Sequence, residues 1–245
     1  MSRPGWRPET TNGDDGDAMT TPRGSHTQSP KLMVLKQFSL VAKALGHEYR
    51  LVLLELLAQG EQSVEGLARH CRQPVANVSQ HLQQLRRAGL VDARRDGKYM
   101  RYRLSGNEVL TLIGALERVA ERNLTQVREA VQLYYHARDG LEPVTVDELR
   151  RRLRGSEVTV LDVRPGDEFV QGHVPGAINI PFHELEARLH ELPDDREIVA
   201  YCRGPYCMLA FETVARLRRA GREVRRLKEG FPKWLEQGLP TELGA

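Results

Sequence analysis

The residues of this 245-residue chain best suited to covalent chemistry form one run, Cys202-Arg203-Gly204-Pro205-Tyr206-Cys207. Ile198 to Tyr201 before it reads as a buried strand, and Met208 to Leu217 after it as a helix. A thiol between a strand's C-terminal end and a helix N-terminus sits where backbone N–H groups and the helix dipole favour an anion. The same groups lower a thiol's pKa, and the thiolate is the nucleophile. Cys202 is therefore the candidate nucleophile, and Arg203, Gly204, Pro205, Tyr206 and Cys207 form the candidate anion-binding loop. Cys207 places a second thiol close to the first, the arrangement of a resolving pair. The alternative for Cys207 is a packing role at the helix start. Cys71, the third cysteine, reads as a small buried residue. Three cysteines make no paired framework, so disulfides are not expected to hold the fold.

A second group of residues suits nucleic acid. The chain's formal net charge is only +3, but residues 31–105 alone carry +7 and residues 141–245 carry −2. A basic block beside an acidic one points to a polyanion partner for the first. Within it, apolar periods predict helices at 32–45, 47–57, 63–71 and 74–87. Leu90–Arg95 and Lys98–Leu104 alternate around Asp96-Gly97, a hairpin signal. Two short helices and a hairpin make a winged helix-turn-helix, whose second helix enters the major groove. Burying Val78, Leu82 and Leu85 turns Asn77, Gln80, His81, Gln84 and Arg87 outward. Asn and Gln pair with adenine edges, and Ser79 and His81 reach bases or phosphates. Arg94, Arg95, Lys98 and Arg101 near the hairpin tip suit phosphates or a minor groove.

Residues 107–136 then predict one helix of about 30 residues with a narrow apolar stripe through Ile113, Leu116, Ala120, Leu124, Val127, Val131 and Tyr134. Such a stripe calls for a partner helix. Residues 1–30 are polar, with no apolar segment of the secretory kind, and read as a disordered tail. The segment 138–143 reads as a linker. Beyond it, a capping box at Thr145 and Glu148 opens a helix, and β-rich runs at 158–163, 177–180, 198–202 and 224–227 alternate with helical stretches. That alternation predicts an α/β domain with a parallel sheet. The expected domains are 31–137 and 144–245. The longest apolar run, Tyr206–Phe211, is far too short to span a bilayer, so no membrane partner is expected.

Residues 32–135 resemble the ArsR/SmtB family of winged-helix repressors. The resemblance is carried by Ala44-Leu45-Gly46-His47-Glu48-Tyr49-Arg50, Val78-Ser79-Gln80-His81-Leu82, Leu85 to Val91 and Gly97 to Leu104. It implies a homodimer, formed through the terminal helices, on a palindromic double-stranded operator. Arsenic-sensing members carry a Cys-x-Cys box on the third helix, whereas Leu67 to Arg72 here holds one thiol. His70 and Cys71 are helical neighbours pointing about 100° apart, so neither a metal nor another cofactor is expected.

Residues 143–242 resemble a rhodanese (sulfurtransferase) domain. Leu161-Asp162-Val163-Arg164, Glu168, Gly172 to Pro181, the Cys202 loop and Glu229-Gly230-Phe231-Pro232-Lys233-Trp234 fall in family order. The resemblance implies that Cys202 takes sulfane sulfur from a donor and passes it to a thiol acceptor, with Asp162 and Arg164 bracing the loop. Cys207 departs from the basic residue, Thr or Ser often found at its position, and Arg203 is the available replacement charge. The combined expectation is a cytoplasmic DNA-binding regulator whose Cys202 persulfide or thiol state is coupled to operator binding. Two alternatives remain open: chiefly a sulfurtransferase that dimerises through its first domain, or an oxidant or metalloid sensor using Cys202 and Cys207.

Overall fold

The computed structural model describes residues 29–134 and 142–244. Of the tail expected at 1–30 only residues 29 and 30 are described, Pro30 already helical, and of the linker expected at 138–143 only 142 and 143. Helix α1 spans Pro30–Leu45. From Phe38 onward the chain forms one compact unit.

The first layer of that unit is helical. Helices α2 (Glu48–Leu57), α3 (Val64–Cys71) and α4 (Val75–Arg87) pack around Leu53, Leu54, Leu67, Val78, Leu82 and Leu85. His47 accepts from the Tyr49 N–H, and Ser63 from the Gly66 N–H at 3.0 Å. Arg72 closes α3 in the left-handed region, φ 51°. Strands β2 (Val91–Asp96) and β3 (Tyr99–Leu104) form the wing, and β1 (Gln62–Ser63), not foreseen, adds to β3. Asp96 pairs with Tyr99, so the two turn residues are Gly97-Lys98 rather than Asp96-Gly97. Of these two only Gly97 takes a positive φ, 60°, at the first central position.

The expected long helix is two helices, α5 (Asn107–Asn123) and α6 (Thr125–Tyr134). Leu124 between them is extended, φ −101° and ψ 114°. Side chains occupy backbone groups at the break: Asn123 Nδ2 donates to the Val119 carbonyl and Arg128 Nη1 to the Arg122 carbonyl. The apolar period runs across the break because both helices keep the same amphipathic pattern. Periodicity therefore did not register it.

The second layer is a four-stranded parallel sheet of order β5-β4-β6-β7: β4 Val158–Asp162, β5 Ile178–Asn179, β6 Glu197–Tyr201 and β7 Val224–Arg226. Strands β4 and β6 are buried along their whole length, as a sheet covered on both faces requires. Helices α7 (Val146–Arg154), α8 (Gly166–Phe169), α9 (Leu185–Arg188), α10 (Met208–Arg219) and α11 (Phe231–Glu236) flank it. Thr145 caps α7 by accepting from the Glu148 N–H at 3.2 Å, as its spacing predicted. Among the described residues, no helix is long and apolar enough to cross a membrane.

Candidate functional site

Two sites emerge, joined by helix α2. The first is the face of α4 and the wing. Asn77, Gln80 and Arg87 are exposed on α4, with Gln83 and Arg86 beside them. Ser79, His81 and Gln84 are half-buried. Gln84 accepts from Arg50 of α2 at 2.6 Å, while the same guanidinium caps the end of α1 through the Lys43 and Ala44 carbonyls. His81 packs 4.5 Å from the His47 ring, and its Nδ1 is buried without a hydrogen-bond partner among the described residues. Burial, then the neighbouring His47 and Arg50, hold its pKa below the usual histidine range. On the wing, Arg94 forms a fork with Glu61 (2.5 and 2.8 Å), Arg101 pairs with Asp96 at 2.6 Å, Arg95 donates to the Gly97 carbonyl, and Lys98 lies over the Tyr99 ring.

The second site is the cysteine loop. Cys202 leaves the end of β6 with its side chain 1% exposed, in the apolar layer with Leu161, Ala210 and Val214. Cys207 precedes α10, and the two sulfurs are joined in a disulfide with Cα atoms 6.2 Å apart. That separation lies within the ordinary span of such bonds. Backbone bonds hold the loop: the Phe231 N–H donates to the Cys202 carbonyl, and the Cys207 N–H to the Gly204 carbonyl. Gly230, at φ 71°, lies against it so closely that a Cβ would come within 2.7 Å of the Cys202 carbonyl and the Gly204 nitrogen. Glycine is required there on both counts.

Asp162 and Arg164 are both fully buried beside the loop, at the end of β4. The Arg164 guanidinium grips the Asp162 carboxylate at 2.6 to 3.1 Å, donates to the Gly172 carbonyl, and stacks 4.1 Å from the Phe231 ring. Arg203 is not an open cation: Glu168, 1% exposed, holds its guanidinium at both carboxylate oxygens. His173 stacks on Phe169 and hydrogen-bonds its carbonyl, a structural position.

Gln59, at the end of α2, went unnoticed in the sequence because Gln59-Gly60 reads simply as a helix stop. It is 1% exposed. Its Nε2 donates to the Glu55 carbonyl and, at 3.1 Å, to the Arg203 carbonyl of the cysteine loop, while its Oε1 accepts from Arg164 at 3.2 Å. On the same side, the Tyr206 hydroxyl donates to Glu121 of α5 at 2.6 Å, and Thr111 of α5 to Glu236 of α11. Cys71 is half-buried on α3, with its thiol pushed up by burial.

A rhodanese-like domain model matches residues 145–237 and a helix-turn-helix domain model residues 45–94. The HTH-type transcriptional regulator Rv0324 of Mycobacterium tuberculosis is 45% identical over 215 residues, spanning 88% of this chain and 94% of the relative. The chain belongs to the ArsR/SmtB-type winged helix-turn-helix transcriptional regulators that carry a C-terminal rhodanese domain. The regulator's two halves also have separate relatives. A sulfurtransferase of Allochromatium vinosum is 34% identical over 96 residues, 38% of this chain and 88% of its own length. A solution structure of a homodimeric winged helix-turn-helix DNA-binding domain from Mycobacterium bovis, described as a possible ArsR-family regulator, is 37% identical with a TM-score of 0.38, covering 42% of this chain and 95% of that one.

Proposed function

We propose that the regulator senses sulfane sulfur or thiol oxidation at Cys202 and reports it as a change in operator affinity. The observation that carries this reading is Gln59. One buried amide binds the cysteine loop at the Arg203 carbonyl and the Asp162–Arg164 brace, and it stands at the end of the helix whose other end, through Arg50, holds Gln84 on the recognition helix. A change in loop conformation that breaks the bond to the Arg203 carbonyl leaves one buried N–H of the Gln59 amide unpaired, a cost of about 1–3 kcal/mol that favours movement of α2.

The chemistry balances without an external oxidant. The Cys202 thiolate takes the terminal sulfur of a donor persulfide, and the donor leaves as its thiol. The Cys207 thiolate then attacks Cys202 Sγ, the Cys202–Cys207 bond forms, and the sulfane sulfur leaves as hydrosulfide, reduced as the two cysteines are oxidised. Asn77, Ser79, Gln80, His81, Gln84 and Arg87 of α4 read bases or flanking phosphates, and Arg94, Arg95, Lys98 and Arg101 hold the DNA backbone. Leu112, Leu116 and Val119, exposed on α5, form the apolar face on which a second copy docks, giving a dimer matched to a palindromic operator. Burial of Cys202 favours sensing over rapid turnover. The deciding experiment measures DNA binding with reduced, persulfidated and disulfide protein. Different affinities among the three forms are expected; identical affinities overturn the reading.

A further inference from the structure

A cavity of about 430 Å³ lies where α2 and α5 meet the cysteine loop and the start of α11. That size is within the range of small-molecule sites. Its floor is apolar, with Leu110, Ile113 and Pro232, and one wall is the outer surface of Gly204, Pro205 and Tyr206. Its walls carry charge of both signs, with Arg118 beside Glu117 on α5 and Glu229 beside Lys228 on the rhodanese side. Glu55, Glu117 and Glu121 come from the winged-helix side, with Glu121 receiving the Tyr206 hydroxyl. Lys228 enters from the rhodanese side and Arg118 from α5. Glu55, Glu117, Arg118 and Lys228 have no ion pair among the described residues. The other lining cations are taken, Arg203 by Glu168 and Lys233 by Glu236.

We propose that this cavity binds a small amphoteric molecule of the amino-acid thiol class, with its ammonium group against Glu55, Glu117 and Glu121, its carboxylate against Lys228 and Arg118, and its sulfur toward the cysteine loop. Only the choice of a sulfur-bearing ligand rests on the sulfur-sensing reading above; the amphoteric character comes from the walls. Glu117 supports the assignment independently. Burial, then Glu55 and Glu121, push its carboxyl up to about 7, the behaviour of a carboxylate in want of a cation. An ammonium group seated there restores the ionised form, so between pH 5 and 7 binding expels a proton from Glu117 into solvent. Because α2 and α5 form two walls, occupancy is felt by the DNA-binding half directly.

The test uses the full-length disulfide form and S-methylcysteine, a thioether unable to exchange with the disulfide. Calorimetry is expected to show binding that weakens about tenfold or more for the analogues lacking either the ammonium or the carboxylate, the loss of one charge-assisted contact. Glu117→Gln and Lys228→Met are expected to weaken it similarly. In the parent the apparent enthalpy at pH 6 varies with the buffer's ionisation enthalpy, and in Glu117→Gln that dependence shrinks, what is left coming from Glu55, whose carboxyl burial also pushes up. Unchanged melting temperatures establish that both variants fold; if Glu117→Gln does not fold, Lys228→Met and the analogue series decide alone. No binding, or binding indifferent to the ammonium group, overturns the proposal. If DNA affinity still follows the thiol state, the cavity assignment alone has failed. If S-methylcysteine binds as described but DNA affinity ignores the thiol state, the sensing reading alone has failed.

Discussion

The recognition helix and the cysteine loop solve opposite problems. On α4, Val78, Leu82 and Leu85 are buried while Asn77, Gln80 and Arg87 remain in water, where the proposed reading has them exchange hydration for base edges and phosphates. In the loop the proposed nucleophile is buried: Cys202 is 1% exposed, and what holds it is backbone, the Phe231 N–H on its carbonyl and Gly230 against its chain. A DNA reader tolerates solvated, adjustable side chains because its partner supplies the order. A thiol that must react selectively needs a scaffold ordered beforehand. The two should therefore respond to substitution on different scales, and the largest effects belong to the buried site.

Arg164→Ala is expected to cost the most, about 3–5 kcal/mol, because it leaves the Asp162 carboxylate without its counter-ion in the interior. Chemical denaturation measures it, and a loss below about 1 kcal/mol would mean the brace is not a desolvated ion pair. Gly230→Ala follows, at about 2–4 kcal/mol, from a left-handed φ and a clash with the loop's own backbone. Its melting temperature should fall, and persulfide formation on Cys202, read by mass spectrometry, should fall with it. A stable Gly230→Ala protein with normal persulfidation would show that the loop is less rigid than the comparison requires.

On the exposed side, Asn77→Ala and Gln80→Ala are each expected to lose about 1–3 kcal/mol of discrimination between operator and mutated operator, with little change in stability. Lys98→Ala should instead weaken all sequences alike and reduce the slope of log K against log salt by about 1. If Asn77→Ala lowers the melting temperature as much as Gly230→Ala, the division between solvated reader and buried scaffold fails.

Much of this contrast was legible in the chain, and what was not has a common cause. The stripe Val78-Leu82-Leu85, the caps at Ser63 and Thr145, and the strand before Cys202 follow from local pattern. The wing turn slipped by one residue because Asp96-Gly97 and Gly97-Lys98 both place Gly97 at a central position, and strand pairing, not the dipeptide, chose between them. The break at Leu124 is invisible to a period that continues on both sides. Gln59, the Arg203–Glu168 pair and the Glu117 cavity depend on residues 35 to more than 100 positions apart meeting across the fold. No spacing rule reports such meetings. Cys202 stood out because nucleophiles need a particular residue type in a particular local setting; Gln59 did not, because any buried amide looks like a helix end until its partners are known.

The smallest expected effects probe whether the two regions are energetically one. Ser63→Ala removes the cap of α3 and Thr145→Ala that of α7, each at about 1 kcal/mol. The bonds that Gln59 makes to Arg203 and Arg164, and Tyr206 to Glu121, tie the two halves through buried or half-buried groups. If that tie is strong enough for the halves to unfold together, both variants lower a single transition by the same few degrees. If it is weak, calorimetry resolves two transitions, with Ser63→Ala lowering one and Thr145→Ala the other. Reduction of the Cys202–Cys207 disulfide then becomes informative in the same experiment. Under the sensing reading, reduction rearranges the loop that Gln59 grips, so it should shift the transition that carries Ser63 as well as the one that carries Thr145. A shift confined to the Thr145 transition would show that the loop's state stops at the domain boundary and never reaches α2.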